Sequence, residues 1–427
     1  MDHPQTVEYL TGLTRSGIKL GLDNTIRLLE ALGNPQLKVP TIHIAGTNGK
    51  GSTAAFTESI LRAGGFRTGL YTSPHLADFR ERIQVNRQPI GPKSLAAVAT
   101  EVRAVCEREN IPATYFEVGT AMAFLHFLRS GCEWNVIEVG MGGRLDSTNV
   151  CQSRVAVITS ISHDHESSLG NSLAQIAGEK AGIIKPGGTV IAGLRQKEPL
   201  EVVRQRARET GCPLLCLDRE FQAIRTGYSA GGQMFDYSGP GSRYESLEIA
   251  LLGAFQVDNA ALAITAVQQA LQGNIGPDSL REGLINTRWP GRLEVVCRDP
   301  LTLLDCAHNP DSVRNLTKAV REYFNYEKCR VVLGVMQDKD LLQIAEILGD
   351  FADEVILSRP RIERSADPHN LFKLFKTNHK VIEIIDEIQY ALHTAQKRSG
   401  PKDLVVVAGS VFTVAEARQS FELQNFH

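Results

Sequence analysis

The sequence predicts an α/β fold: two parallel sheets, each covered by helices, with a small antiparallel β appendage between them. Three observations carry the prediction. Apolar strand-like runs alternate with helix-like stretches from residue 39 to residue 184. A β-rich stretch punctuated by glycines interrupts that rhythm at 212–252. The alternation then restarts at 301 and runs to 418. Between the blocks, Asn-Thr-Arg-Trp-Pro-Gly-Arg-Leu at 286–293 is the expected hinge, with Pro290 and Gly291 as breakers. The expected division is 1–292 and 293–427.

In chain order, the first forty residues read as two short helices. Asp23 is the expected N-cap of the second; Ile26, Leu29 and Leu32 share a face, and Gly33 with Pro35 ends it. A strand at 39–45, a loop, a helix at 52–63 and a strand at 68–72 make a βαβ unit, which implies parallel pairing. A helix is expected at 92–110, buried strands at 135–139 and 155–159, and a helix at 173–184. Strands at 221–226, 234–237 and 247–252 are expected to form the appendage, followed by a helix at 257–271. The second block reads strand 301–305, helix 311–324, strand 330–334, helix 340–348, strands 354–358 and 381–385, helix 387–397, strand 404–408 and helix 411–418.

With 42% hydrophobic and 22% charged residues in 427, the chain has enough apolar surface for a large core without disulfides or metal staples. Lys plus Arg (46) nearly balances Asp plus Glu (48), which argues against nucleic-acid binding through a general basic field. A small anion needs only a few local cations and backbone amides. No apolar run approaches the roughly 18 residues of a membrane helix. Met1-Asp-His-Pro-Gln-Thr-Val-Glu lacks the pattern of a secretory leader. The expectation is a cytoplasmic protein without membrane or nucleic-acid partners. Its eight cysteines form no Cys-x-x-Cys pair and read as reduced, mostly buried thiols.

The sharpest local signal is Thr41-Ile-His-Ile-Ala-Gly-Thr-Asn-Gly-Lys-Gly-Ser-Thr, a strand running into a loop and then a helix expected to open at Ser52. Gly46, Gly49 and Gly51 let backbone amides approach phosphate oxygens, and Lys50 suits the terminal phosphates. A hydroxyl at Ser52 or Thr53 is placed for a phosphate or a magnesium shell. The loop departs from the G-x-x-x-x-G-K-[ST] pattern: Ile44 stands at the first Gly position, and Gly51 follows the lysine. A plain Gly-rich turn at a helix start is the alternative.

Three further segments carry hard donors just beyond expected strands: Thr72-Ser-Pro-His75, Glu138 to Asp146, and His163-Asp-His-Glu166. In an open parallel sheet these converge on the rim where ligands bind. Mg²⁺ takes a few carboxylates with waters and phosphate oxygens, a need that Glu138 suits. The alternatives are a surface carboxylate at 138 and a turn hydroxyl at Ser73. His163 and His165 have no third His or Cys at zinc spacing.

Taken together, the motifs occur in a telling order: Gly-Thr-Asn-Gly-Lys-Gly-Ser, Thr-Ser-Pro-His-Leu, Glu-Val-Gly-Met-Gly-Gly-Arg-Leu-Asp-Ser-Thr-Asn, Asp164-His165 with Leu169-Gly170, Glu-Lys-Ala-Gly-Ile, Arg-Trp-Pro-Gly-Arg, and Asp-x-Ala-His-Asn-Pro. From about residue 18 to 417 the chain resembles the folylpolyglutamate synthase and dihydrofolate synthase family of the Mur ligase superfamily. The resemblance implies a P-loop ATPase domain with its β appendage, followed by a smaller Rossmann-like domain. It implies ATP-dependent amide formation: a pterin-linked carboxylate takes the γ-phosphoryl group of ATP as an acyl phosphate, and L-glutamate's amine displaces phosphate. Catalytic roles fall on Lys50, Lys180 and His308, with Lys180 matching a lysine carbamylated in many relatives. ATP contacts fall on Gly46, Thr47, Asn48, Gly49, Lys50, Gly51, Ser52, Asn259, Arg292 and Asp305. Ser73, Glu138 and His165 match magnesium ligands, and two Mg²⁺ ions are implied, with K⁺ as a further ion. Phe116 and Asp146 match pterin contacts, which Gly21 and Leu22 join, and Ser410 lies near the glutamate. Cys306 replaces a family glycine, a substitution expected to strain a positive-φ position. A monomer that closes over ATP is implied. Another Mur-type amide ligase, a polyglutamate synthase without dihydrofolate synthesis, and a nucleotide switch are the competing readings. A switch has no use for a second, amine-delivering half.

Overall fold

A computed structural model describes residues 1–14, 21–375 and 381–422, so the start of the family resemblance near residue 18 lies outside the described residues. Among those described, eight strands form the first sheet: β1 (Thr41–Ala45), β2 (Thr68–Tyr71), β3 (Ile83–Val85), β4 (Gln88–Pro89), β5 (Trp134–Glu138), β6 (Ser153–Ile158), β7 (Thr189–Ala192) and β8 (Leu214–Cys216). Their order is β4-β3-β2-β5-β1-β6-β7-β8. From β2 to β8 every pairing is parallel, whereas β3 and β4 add an antiparallel edge. Every residue of β1 and β5 is buried. Each holds buried polar residues, Thr41 and His43 in β1 and Asn135 and Glu138 in β5, so the Ile, Val and Trp positions are what mark them in the sequence as strands covered on both faces.

The helix after β1 spans Lys50–Ala63, two residues earlier than expected, so Lys50 rather than Ser52 is its first residue. Gly51 through Leu61 are all buried, because helices Ala254–Ala270 and Pro277–Ile285 cover its outer side. Helix Tyr115–Arg129 was absent from the expectation. It is apolar almost all round, so no amphipathic period marks it, and a capping box between Thr114 and Glu117 opens it. Near the N-terminus, Leu22 occupies the N-cap and Asp23 is the first helical residue, with no side-chain cap. The buried face there is Thr25, Leu28 and Leu29; Ile26 is exposed.

The appendage is the antiparallel sheet of β9 (Gln222–Ser229), β10 (Gly232–Gly239) and β11 (Ser242–Ile249), ordered β11-β10-β9. Residues 214–216 belong instead to the parallel sheet as β8, a correction to the expected start of the appendage. Phe235, Tyr237, Leu247 and Ile249 point inward and share a core with helices Lys50–Ala63 and Ala254–Ala270.

A second sheet holds β12 (Glu294–Arg298), β13 (Leu301–Leu304), β14 (Cys329–Leu333), β15 (Glu354–Leu357), β16 (Val381–Ile384) and β17 (Leu404–Ala408). The order is β12-β13-β17-β14-β15-β16, with only β12 antiparallel. β12 was not expected: its residues are only partly buried and sit on an edge.

The contact between helices Pro277–Ile285 and Lys50–Ala63 depends on Gly283. A Cβ there would stand 2.5 Å from Ile60 Cα and 2.9 Å from the Ser59 carbonyl oxygen. Backbone cannot yield as a side-chain tip does. Gly283→Ala is therefore expected to destabilise the protein by about 1–3 kcal/mol in urea unfolding. An unchanged midpoint would mean that the two helices do not touch this closely.

Candidate functional site

Four strand ends build one cleft. The loop 46–49 follows β1, Glu138 ends β5, residues 159–165 follow β6, and Asp305 follows β13. The cleft encloses about 310 Å³ and is lined by Gly46 through Ser52, Ser73, Glu138, Asp164, His165, Lys180, Asn259, Arg292, Asp305 and His308. It thus gathers the expected nucleotide, metal and catalytic residues from both halves of the chain.

The loop is sterically tight. A Cβ at Gly46 would fall 1.8 Å from Thr159 Oγ1, and one at Gly49 would fall 2.5 Å from Asn259 Oδ1. Gly49 also has φ +86°, a conformation that favours glycine. At Gly51 a Cβ would meet the Trp289 ring at 2.9 Å. Thr47 N donates to the Ser160 carbonyl (2.8 Å), Asn48 N to Ser160 Oγ (2.9 Å), and Thr159 Oγ1 to the Asn48 carbonyl (2.7 Å). Helix Lys50–Ala63 has no side-chain N-cap, so its first amides are left for an anion. Lys50 Nζ meanwhile donates to the carbonyls of Gly46 and Thr47 at 3.0 and 3.1 Å. Thr53 is fully buried and donates to Asn259 Oδ1 (3.4 Å), which leaves Ser52 as the hydroxyl in the cleft.

Glu138 Oε2 accepts the Ser73 amide at 3.0 Å. Burial pushes its carboxyl above the usual range, against the opposing charges of Lys50 and Arg292. His165 is pushed down to about 4, mainly by burial, so its imidazole is neutral at physiological pH. Lys180 sits on helix Leu173–Ala181, nearly fully buried. Burial, and then the charge of Lys50, lower its amine to about 7. Among the described residues no three His, Cys, Asp or Glu side chains gather as a closed metal cage.

The second half supplies the facing wall. Asp305 accepts the amides of Leu293 and Ala307, each at 2.8 Å, and burial pushes its carboxyl up. Arg292 NH1 donates to the Gly291 carbonyl at 2.9 Å. Cys306 is not among the residues of positive φ, so the expected strain is absent. His308 Nε2 approaches Asp164 Oδ2 at 3.3 Å.

Asp164 is a hub that the sequence reading missed. It also accepts from Asn309 Nδ2 (3.1 Å) and from Lys339 Nζ (2.6 Å). The Asp164 and Lys339 side chains are each 7% exposed, a buried ion pair across the two halves. Burial opposes the Asp164 charge, but the His308 hydrogen bond and the Lys339 ammonium hold its carboxyl well below the usual range. Asn48 joins the same contact, donating to Asp311 Oδ2 at 2.8 Å. The available signal was Asp338-Lys339-Asp340, a lysine between aspartates just beyond β14.

Three expected substrate residues do not line this cleft. Phe116 packs over Gly140, where a Cβ would lie 2.4 Å from its ring. Asp146 accepts the amides of Met141 (2.9 Å) and Thr148 (3.0 Å) and so shapes the Gly-rich loop after β5. Ser410 Oγ caps the last helix by accepting the Thr413 amide at 3.0 Å. His163 pairs with Glu166 (2.7 Å) at the surface.

Comparison with known proteins finds relatives over the whole length of the chain. Residues 44–267 match the Mur ligase middle domain, and residues 291–411 match the Mur ligase glutamate ligase domain. The chain is 34% identical over 420 residues to the dihydrofolate synthase/folylpolyglutamate synthase of Bacillus subtilis (strain 168), covering 96% of this chain and 97% of that one. Mycobacterium tuberculosis folylpolyglutamate synthase complexed with ADP and AMPPCP superposes with TM-score 0.92 at 32% identity, covering 98% of this chain and 99% of that one. E. coli FolC in complex with DHPP and ADP superposes with TM-score 0.91 at 29% identity, covering 100% and 99%.

The Lys180 amine titrates near 7 in the fold against 10.5 when free. Between those values the unfolded chain binds the extra proton, so stability rises with pH; below about 7 the buried cation costs its full amount. In CO₂-free buffer, the stability gained by Lys180→Met over the parent is expected to be larger at acidic pH than at alkaline pH. Urea midpoints on either side of this window check it, and a pH-independent difference would contradict the burial of a titrating amine.

Proposed function

The chain belongs to the folylpolyglutamate synthase/dihydrofolate synthase family of Mur ligases, and on that premise we propose how its residues divide the work of an ATP-dependent glutamate ligase. The enzyme adds L-glutamate to a folate and to dihydropteroate through an acyl phosphate. The observation that carries the assignment of roles is the cleft itself. A nucleotide loop and a buried carboxylate on one half face His308 and Asp305 on the other. We assign residues 1–292 to nucleotide binding and activation, and 293–427 to amine delivery.

The first-turn amides of helix Lys50–Ala63 and Lys50 hold the ATP phosphates, with Lys50 exchanging its loop carbonyls for phosphate oxygens. Asn259, packed against Gly49, borders the nucleotide base, and Arg292 reaches the phosphates from the hinge. Phosphoryl transfer needs charge neutralisation and in-line positioning more than covalent chemistry. Ser73, Glu138 and His165 fit a magnesium ion: one buried carboxylate, one hydroxyl and one neutral imidazole, with phosphate and water oxygens completing the shell. Bound there, Mg²⁺ supplies positive charge to the transferring phosphoryl group.

An amine that titrates near 7 is about half unprotonated at neutral pH and largely so above it, and the unprotonated form is the one that adds CO₂. A carbamate on Lys180 would offer carboxylate oxygens to a second magnesium ion. His308, on the facing wall, sits where glutamate's ammonium must lose a proton before attack. Asp146 orders residues 140–143 beside the acceptor, Phe116 supports that loop from behind, and Ser410 holds the helix N-terminus near the glutamate.

ADP release with Mg²⁺-ATP and L-glutamate tests this reading. Both dihydropteroate and tetrahydrofolate are expected to stimulate release. Stimulation by tetrahydrofolate alone would restrict the enzyme to polyglutamylation, and stimulation by neither would overturn the substrate assignment. Lys50→Ala is expected to lower kcat by on the order of a hundredfold or more; retained turnover would remove the phosphate loop from the mechanism.

A further inference from the structure

The antiparallel appendage does more than cover the core. Helix Pro310–Tyr323 runs from the cleft to this appendage. Its 14 residues span about 21 Å at 1.5 Å per residue. At the cleft end, Asn309 and Asp311 bond Asn48 of the phosphate loop. At the far end, Arg225 of β9 makes a two-pronged ion pair with Glu322, one prong at 3.1 Å. Arg225 NH1 also donates to the Tyr323 hydroxyl at 2.7 Å. That hydroxyl in turn donates to Gln233 Oε1 of β10.

Gln233 carries the contact onward. Its Nε2 donates to the carbonyls of Leu251 (2.7 Å) and Gly253 (2.9 Å), directly before helix Ala254–Ala270. That helix carries Asn259, the residue packed on Gly49. Leu252 is buried in the core of the second half, and Phe255 packs against it. Tyr228 packs tilted against Tyr323 with ring centroids 5.0 Å apart, and the Arg225 guanidinium lies 4.4 Å over the Tyr228 ring. A polar chain therefore ties the second half to the first at a point remote from the reacting atoms, and it is anchored in the two helices that border the nucleotide loop.

We propose that Arg225, Gln233 and Tyr323 are positioning residues: a brace that sets the angle of the amine-delivering half over the phosphate loop, so that the appendage aligns the transfer step. The proposal rests on the ligase reading above. Of the proposed ATP contacts, residues 46–52 lie outside the brace, while Asn259 and Asp305 lie beyond its two anchors. Its loss should therefore lower kcat and raise the KM for glutamate far more than it weakens nucleotide binding, since misplacement by about 1 Å can cost on the order of a hundredfold in rate.

Charge exchange tests this with the whole enzyme. Arg225→Glu and Glu322→Arg are each expected to lower kcat by about tenfold or more, with ADP affinity by titration unchanged within about twofold. The double exchange is expected to regain part of the lost kcat over either single variant, because the ion pair is rebuilt with its signs reversed while the donor to the Tyr323 hydroxyl is not. Tyr323→Phe removes one hydroxyl and no volume; it is expected to give the same kcat loss with a native unfolding profile. Parent-like kcat in both single variants and in Tyr323→Phe would overturn the brace. So would equal losses of kcat and ADP affinity, or a double variant no better than the singles. Because the parent enzyme must turn over with a folate acceptor first, a failure of the substrate assignment is seen in the parent and is separate from a failure of the brace.

Discussion

The backbone at residues 46–51 lies so close to its surroundings that three positions have no room for a side chain. Each of those contacts comes from a different part of the chain: Thr159 beyond β6, Asn259 on helix Ala254–Ala270, and Trp289 in the hinge. Asn48 adds the second half through Asp311. The approach that leaves amides free for phosphate therefore also fixes where four separate segments must lie. Packing at native density makes such a junction intolerant of even one methyl group.

Around that junction the electrostatics are held in tension. Glu138 and Asp305 are buried carboxyls pushed towards protonation, and Lys180 is a buried amine pushed towards neutrality. Buried ionisable groups are costly unless they are paired or bound to ligand. Asp164 shows the paired case, with Lys339, His308 and Asn309 converging on it. The groups left under stress face the cleft, where a bound ligand would relieve them. Stability given up at such positions is the expected signature of a reactive site.

How much of this was legible in the sequence depended on where each feature's partners lie. β1 and β5 are covered on both faces, and their Ile and Val residues announce them despite the buried Thr41, His43, Asn135 and Glu138. Gly46, Gly49, Gly51 and Lys50 carry their meaning locally, through strand, turn and helix start. Helix Tyr115–Arg129, uniformly apolar, had no period to read, and the short edge strands β3, β4 and β12 had too little pattern. Phe116, Asp146 and Ser410, expected at the substrate, also hold backbone or pack against it, a role with no mark in the sequence.

Residue order alone established two α/β halves, the phosphate loop and the acidic and basic groups around it, because those signals are encoded within a few neighbouring positions. It could not establish the Asp164–Lys339 pair, 175 residues apart, or the Tyr323–Gln233 contact, 90 apart. The Asp338-Lys339-Asp340 run marks Lys339 without naming its partner, and no local pattern pairs Tyr323 with Gln233. Such contacts exist only once two independently patterned halves are packed at one angle, and that angle is set by buried surface and charge rather than by spacing along the chain.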